Sequence, residues 1–442
     1  MSKILKASVI LGGFSFAADV VALIRDRILA ANFGATRMLD VYYSAFKIPD
    51  LVFNLLVLGA VSSAFIPVFV AKRRENEADA WGVARNFTTT VFVLVIIASA
   101  IMCALAGPLV RLIAPGFAGA DRDMAVSLTR LMLLSPVLFS VSTIFGSVLQ
   151  SLERFWAYAI APVVYNAGII AGAIWFAPWL AARGYFPVYG LGLGVILGAF
   201  LHLLIQAVAA HRAGFRYRPH LNFASAELRR IFKLMVPRTI GLGAYSLDSA
   251  IINSFASTLA AGSITILNVA NNLQFVPIAV VGVSVATAVF PKLSHHASGQ
   301  ELAEFRRKLT GAVRNTAAVV VPVSIAGYFL AQWGINLFFG TGLFEGLSAV
   351  RTATVLQIFL WGVPAQSLIP IFSRAFYALQ NTIVPVVISI CAITTNVTLA
   401  WLLGVHFGLG VKGLALAFAV AGNIQIALLW LTFRHIYKNQ LT

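Results

Sequence analysis

The 442-residue chain is 60% hydrophobic and only 11% charged, with a mean hydropathy of +0.89. A soluble domain carries nearer a quarter charged residues, so this composition specifies a polytopic membrane protein. Its two cysteines, Cys103 and Cys391, both fall inside apolar spans, which leaves no disulfide framework and no Cys-based metal site.

A window of about 19 residues finds apolar stretches centred near residues 18, 57, 97, 138, 166, 198, 247, 280, 322, 365, 392 and 423, which predicts twelve membrane helices. The N-terminus, Met1 to Lys6, is basic and runs into the first stretch. Asp19, Arg25 and Asp26 spoil a signal-peptide core, and the segment reads as a retained first helix. On helix one, Asp19 and Asp26 are seven apart and share a face with the small residues Ser15, Ala22 and Ala30. On helix two, Asp40, Ser44, Lys47 and Asn54 form a stripe, and Asp50 stands three residues from Lys47, within pairing distance on a helix. Glycines 190, 192, 194 and 198 on helix six suit close packing or bending. Helix seven places Arg238, Tyr245 and Asp248 along one side, and helix eight carries Asn268, Asn271 and Asn272. Near the cytoplasmic end of helix ten, Arg374 adds another cation.

Charge inside an apolar span costs about 2.5 to 3.5 kcal/mol per residue on insertion scales, so such residues face a bundle interior or a wet cavity. Structural alternatives stay open. Arg25 and Arg27 could be interfacial anchors, Lys47 with Asp50 a neutralised pair, the asparagines interhelical glue, and Arg374 a positive-inside anchor.

The net charge of +17 would suit a nucleic-acid partner, but the positions of the basic residues exclude that reading. Of the 32 lysines and arginines, 20 fall on one set of alternate connections, including Lys72, Arg73, Arg212, Arg216, Arg306 and Lys438. Only 6 fall on the other set, among them Arg37, Arg122 and Lys412. This asymmetry is the positive-inside pattern and places both termini in the cytoplasm. The basic loop from His211 to Lys233 also suits contact with anionic headgroups.

Shifting the chain by 228 to 230 residues pairs Gly12 with Gly241, Asp19 with Asp248, Pro49 with Pro277, Pro136 with Pro364, Gln150 with Gln380 and Asn166 with Asn396. Pro67 pairs with Pro291 after a four-residue gap. Six helices separate the copies, so the repeat is parallel, an arrangement used by transporters that rock two bundles about a central site. The predicted fold is therefore all-α and polytopic: an N-terminal six-helix lobe (1–211), a cytoplasmic basic linker (212–226) and a C-terminal six-helix lobe (227–442). Enzyme signatures are absent from the sequence. There is no HExxH and no Walker lysine in a glycine-rich loop, and the seven histidines show no companion carboxylate at ligand spacing, so no metal site is expected.

Three runs carry a resemblance: Arg25-Asp26-Arg27-Ile-Leu-Ala-Ala-Asn-Phe-Gly-Ala, then Asp40-Val-Tyr-Tyr-Ser-Ala-Phe-Lys47-Ile-Pro49, then Gly59-Ala-Val-Ser-Ser-Ala-Phe-Ile-Pro67. Together they resemble the MurJ/MviN family of lipid II flippases, within the wider superfamily of multidrug (MATE) and polysaccharide exporters. The likeness continues through Ala114 to Ala118, Gly282 to Pro291 and the run after Arg374. It implies a two-lobe bundle in the bacterial cytoplasmic (inner) membrane. Such a protein would move undecaprenyl-diphosphate-linked peptidoglycan precursor to the outer leaflet by alternating access around a cationic cavity. It also implies importance for Arg25, Asp26, Asp40 and Lys47, no cofactor, membrane lipids as surroundings, and room for contact with the cell-wall synthesis machinery.

Departures from the family pattern are Asp19 and Phe53 where arginines are usual, Leu58-Gly59 for Glu-Gly, and Asn272 and Phe275 for an arginine and a glutamate. The family's two further helices would lie beyond Thr442. Arg238 is the candidate replacement cation. The expected substrate contacts are thus Arg25, Asp26, Arg27, Asp40, Lys47, Arg238, Asn272 and Arg374. Asp19, Asp26 and Asp248 are candidates for coupling to a proton, a monovalent ion or the membrane potential. An ion-coupled exporter of drugs or lipid-linked polysaccharide is the alternative on the same fold; a membrane transferase, the rival of another class, predicts a covalent product.

Overall fold

The computed structural model describes residues 3–58, 64–299 and 301–441, apart from the side chains at 3–11, 58, 237, 238, 240 and 438–441. Its described residues form helices joined by turns and by one longer linker, 213–225. Each of the twelve apolar centres read from the sequence falls on a helical run. Among the described residues, eight helices are long and apolar enough to cross a membrane, and nine if Leu347–Leu360 and Val363–Ala378, bent by 43°, count as one span. The other three expected spans, Lys3–Phe33, the broken run from Arg37 to Glu75, and Ala226–Ser257, carry the intramembrane charges noted above.

The chain divides into two compact units, one of Met1–Phe33 with Arg37–Ala250 and the other of Gly34–Thr36 with Ile251–Thr442. In the first, α1 (Lys3–Phe33) packs on α9 (Phe155–Ala171), which packs on α11 (Val188–Arg212). The α9–α11 contact is glycine against glycine: a Cβ on Gly172 would stand 2.6 Å from the Gly190 carbonyl oxygen, and one on Gly194 would stand 2.7 Å from the Gly172 Cα. These are the glycines whose spacing of four marked helix six, and they let two backbones touch.

Helix two is broken among its described residues. α2 (Arg37–Ala45) stops one residue before α3 (Lys47–Phe53), because Pro49 lacks the N–H that would bond the Ala45 carbonyl. α3 runs into a π-helical turn, Asn54–Leu58, and α4 (Ile66–Glu75) follows. Next come α5 (Glu77–Ala104), α6 (Ala106–Ile113), α7 (Gly119–Met132) and α8 (Leu134–Ser151). A short α10 (Ala177–Ala181) ends the span that α9 begins. Buried Phe65, Phe69 and Phe87 stack between α4 and α5, with centroids 5.4 and 5.0 Å apart. Trp81 extends this aromatic series to Phe215 of the linker at 5.6 Å.

Ser225 caps α12 (Ala226–Ser257), accepting from the Leu228 N–H at 3.2 Å and donating to Glu227 at 2.8 Å. Glu227, bonded by its own backbone N–H and by Ser225, is held below the usual carboxylate range. The linker and α12 as far as Ala250 belong to the first unit.

The second unit contains α13 (Ser263–Pro277), α14 (Ser284–Ser298), α15 (Leu302–Phe339), α16 (Leu347–Leu360), α17 (Val363–Ala378), α18 (Ile383–Leu399) and α19 (Val411–Leu441). Phe305, Phe372, Phe376, Phe433 and Tyr437 close a core where α15, α17 and α19 meet.

The repeat recurs in the helix irregularities. α9 and α18 are both 17 residues long and both run into π-helical turns, Gly172–Phe176 and Ala400–His406, at the 228-residue shift that pairs Pro49 with Pro277. The turn at Asn54–Leu58 has its counterpart at Ile278–Val283. α8 and α17 end alike. Glu153 and Gln380 both take φ of +58°, and the next N–H of each, at Arg154 and Asn381, bonds back to Leu149 and Phe376. This shared cap sets Glu153, rather than Gln150, opposite Gln380, because hydrogen-bond geometry and not residue identity defines the register there. A left-handed residue with a Cβ is strained. Gln380→Gly is therefore expected to hold or raise the thermal midpoint, and Gln380→Ile to lower stability by about 1 kcal/mol. Thermal unfolding of the purified variants reads both.

Candidate functional site

Three polar nodes in the first unit gather residues singled out in the sequence. The first sits where α1 crosses α9. Arg25 donates to one carboxylate oxygen of Asp26 through Nε at 2.9 Å and Nη2 at 2.6 Å, and through Nη1 to Asn166 Oδ1 at 2.7 Å. Asn166 in turn donates to the Pro162 carbonyl at 3.1 Å, the one in its own helix that lies four residues back. Asp26 is 3% exposed and Arg25 20%, so this is a largely buried ion pair with a bracing amide. Three of the five guanidinium N–H groups are used by these partners, which leaves two to meet an anion. Arg27 and Asp19, by contrast, are exposed.

The second node fastens the broken helix to α12. Lys47 donates from Nζ to Ser249 Oγ at 2.9 Å, and Asn54 donates to Ser246 Oγ at 3.1 Å. The serines are three apart on α12 and so share a face. No ion pair joins Lys47 to Asp50 among the described residues: both stand on α3, but the lysine reaches Ser249 of α12 and Asp50 is exposed. Asp248, beside Ser249, is half-buried. Arg238 lies on the same helix, with its side chain outside the described residues.

At the third node Asp40 is fully buried, 3.9 Å from Arg37, which also stands 3.9 Å from Asp121 of α7 and lies 5.3 Å from the Phe117 ring centre. Arg37 thus neutralises a buried carboxylate while fixing the start of α2 against α7.

The remaining candidates lie in the second unit. Arg374 donates to the Val283 carbonyl at 3.2 Å and the Thr287 hydroxyl at 2.8 Å. Val283 closes the π-helical turn, so Arg374 caps backbone that the widened helix leaves open. On α13, Asn268 bonds its own helix at Ile264 and Asn271 accepts from Gln274, while Asn272 is half-buried. These bonds tie Asn268 and Asn271, which the sequence grouped in a polar patch, to their own helix.

Several partners escaped the sequence reading. Asn166 appeared only as a repeat mate, and Ser246 and Ser249 carried no signal at all. His296 has a companion carboxylate after all: its Nδ1 lies 2.6 Å from Glu301, and the ligand atoms of His295, His296 and Glu301 fall within 4.8 Å of one another. The pairing is made by a turn, which a search at helical spacings does not find.

Residues 29–440 match the family described as lipid II flippase MurJ. A probable lipid II flippase MurJ of Rhizobium meliloti is 30% identical over 97% of this chain and 80% of its own length. A lipid II flippase MurJ of Burkholderia cenocepacia is 29% identical over 98% and 84%. Among solved structures, a lipid II flippase MurJ in an inward closed conformation superposes with a TM-score of 0.81 at 21% identity, covering 97% of this chain and 88% of that one. An inward-facing multidrug transporter of the MATE family gives 0.78 at 13% identity, over 96% and 95%. These two likenesses define the fold.

Proposed function

Because the chain belongs to the lipid II flippase MurJ family, we propose that it moves undecaprenyl-diphosphate-linked peptidoglycan precursor from the cytoplasmic to the outer leaflet of the bacterial inner membrane, with both termini in the cytoplasm. The observation that carries this reading beyond family membership is Arg25, a cation within an apolar span that is preorganised by Asp26 and Asn166 and retains two N–H groups. A diphosphate accepts two such bonds well, and low local dielectric strengthens them.

Lys47 supplies a second cation, and its bond to Ser249 is one that a competing anion replaces without leaving a buried charge alone. The lipid tail stays in the bilayer while the two lobes, 1–211 and 227–442, alternate in access. Lys47 and Asn54 hold the later part of α12, at Ser249 and Ser246. Asp19, Asp26 and Asp248 are the carboxylates through which a proton, a monovalent ion or the membrane potential would bias the cycle; moving one charge through 100 mV is worth about 2.3 kcal/mol. The process breaks no covalent bond and uses no cofactor. Contact with the cell-wall synthesis machinery is consistent with the substrate.

The test is rescue of a cell depleted of its own lipid II flippase. Wild-type chain at normal membrane levels is expected to restore growth and shape. Failure at verified levels overturns the substrate assignment in favour of an exporter of other lipid-linked glycans or drugs.

A further inference from the structure

A pocket of about 440 Å³ opens where α8, the end of α11 and the linker meet. Phe145 and Phe215 form its floor, edge to face at 5.3 Å, with Tyr217 beside them. His211 and Arg212 form its rim. We propose that this pocket binds the phosphate-bearing headgroup of an anionic glycerophospholipid, on the cytoplasmic side in the topology proposed above.

Four observations converge on that ligand. First, Phe200, Leu204 and Val208 are exposed at 50%, 45% and 42% and recur every four residues on α11, a stripe that ends at exposed Arg212. An exposed apolar stripe on a membrane-spanning helix is solvated by acyl chains, so its basic end lies at headgroup level.

Second, no Asp or Glu occurs between Glu153 and Glu227, whereas Arg154, Arg212, Arg216 and Arg218 all lie there. Among the described residues, none of the last three takes part in an ion pair. Arg154 also approaches the rim, donating to the Arg212 carbonyl at 3.3 Å. A cationic rim over an apolar floor complements an anionic amphiphile and repels none of its parts.

Third, the linker is prefolded rather than loose. Asn86 of α5 clasps Asn222 with two bonds, donating to its carbonyl at 2.9 Å and accepting from its N–H at 2.7 Å. Thr89 meets the His220 N–H and the Tyr217 hydroxyl, both at 3.2 Å. A preorganised wall lowers the ordering cost of binding. Fourth, the clasped segment shows Leu221 and Phe223 at 48% and 57% exposure, which suits an interfacial strap dipping into the membrane surface.

The experiment measures binding of phosphatidylglycerol and phosphatidylcholine to the purified full chain in detergent by native mass spectrometry, independently of transport and of membrane orientation. Wild type is expected to prefer phosphatidylglycerol about tenfold. Arg212→Gln with Arg216→Gln, and separately the pocket-filling Ala207→Trp, are expected to abolish the preference, while Arg73→Gln with Arg74→Gln retains it. Equal loss in the Arg73/Arg74 control would make the preference a matter of net charge and overturn the site, as would full retention in the Arg212/Arg216 variant. Displacement of bound phosphatidylglycerol by undecaprenyl diphosphate at lower concentration would assign the pocket to the transported lipid and overturn the phospholipid reading. Because the arginine variant leaves the packing intact, failure of Ala207→Trp to fold does not remove the test.

Discussion

Asp26→Ala is expected to abolish rescue of a flippase-depleted cell and to lower the stability of the protein by about 3 kcal/mol. Breaking a buried ion pair by removing one partner typically costs about 3 to 5 kcal/mol, because the remaining charge is left uncompensated. The lower end applies here, since Arg25 keeps a fifth of its surface exposed and still bonds Asn166. Against a total of about 5 to 15 kcal/mol this is a large fraction.

Loss of function through instability and loss through chemistry must then be separated. Arg25→Met combined with Asp26→Leu removes both charges and fills similar volume, and such swaps are often neutral for stability. The double variant is expected to regain the wild-type thermal midpoint within about 1 kcal/mol while rescue stays absent. Thermal unfolding in detergent and growth after depletion are the two readouts. A stable double variant that supports wild-type growth would sink the role of Arg25 as the anion-binding cation.

Gly194→Ala is expected to be at least as destabilising for a different reason. Its new Cβ would stand 2.7 Å from the Gly172 Cα and 2.8 Å from the Gly168 carbonyl oxygen, so the obstacle is backbone on α9. Neither helix yields locally, because each is held along its length, and the expected loss is about 3 kcal/mol or more, at the upper end for overpacking. Gly192→Ala on the same helix is the matched control. There the Cβ meets the tips of Leu128 and Leu131 at 2.6 and 2.9 Å, and leucine side chains rotate away. Alanine also gains about 1 kcal/mol of helix propensity over glycine, so this variant is expected near wild type. Folded yield and thermal midpoint compare them; equal behaviour would disprove backbone contact between α9 and α11.

Individual residues show where sequence reasoning succeeded and where it stopped. The small-residue spacing at 190, 194 and 198 pointed to close packing without naming α9 as the partner, since the contacting glycines at 168 and 172 are spaced in their own helix. Lys47 and Asp50 are correctly spaced for a pair and do share α3, but the lysine reaches Ser249, 202 residues away, instead. Asn268 stands in the sequence as one of three neighbouring asparagines; in the fold it donates to the Ile264 carbonyl of its own helix. Arg374, an isolated cation in the sequence, braces a widened turn that no propensity scale announces.

The membrane class, the positions of the spans, the internal repeat and the charged end of α1 are all written in the order of residues. Each rests on a quantity summed over neighbours in the chain: hydropathy over a span, basic residues per connection, a nearly constant shift. The partner of each charge rests instead on contacts across the fold. Arg25 finds Asn166 141 residues away, and Asn86 finds Asn222 136 residues away. Which amide or hydroxyl satisfies a buried charge depends on how the helices cross, and helix crossing is set by backbone approach at glycines and by breaks at prolines acting together. A charge in an apolar span announces that a partner must exist; the tertiary structure decides which one it is.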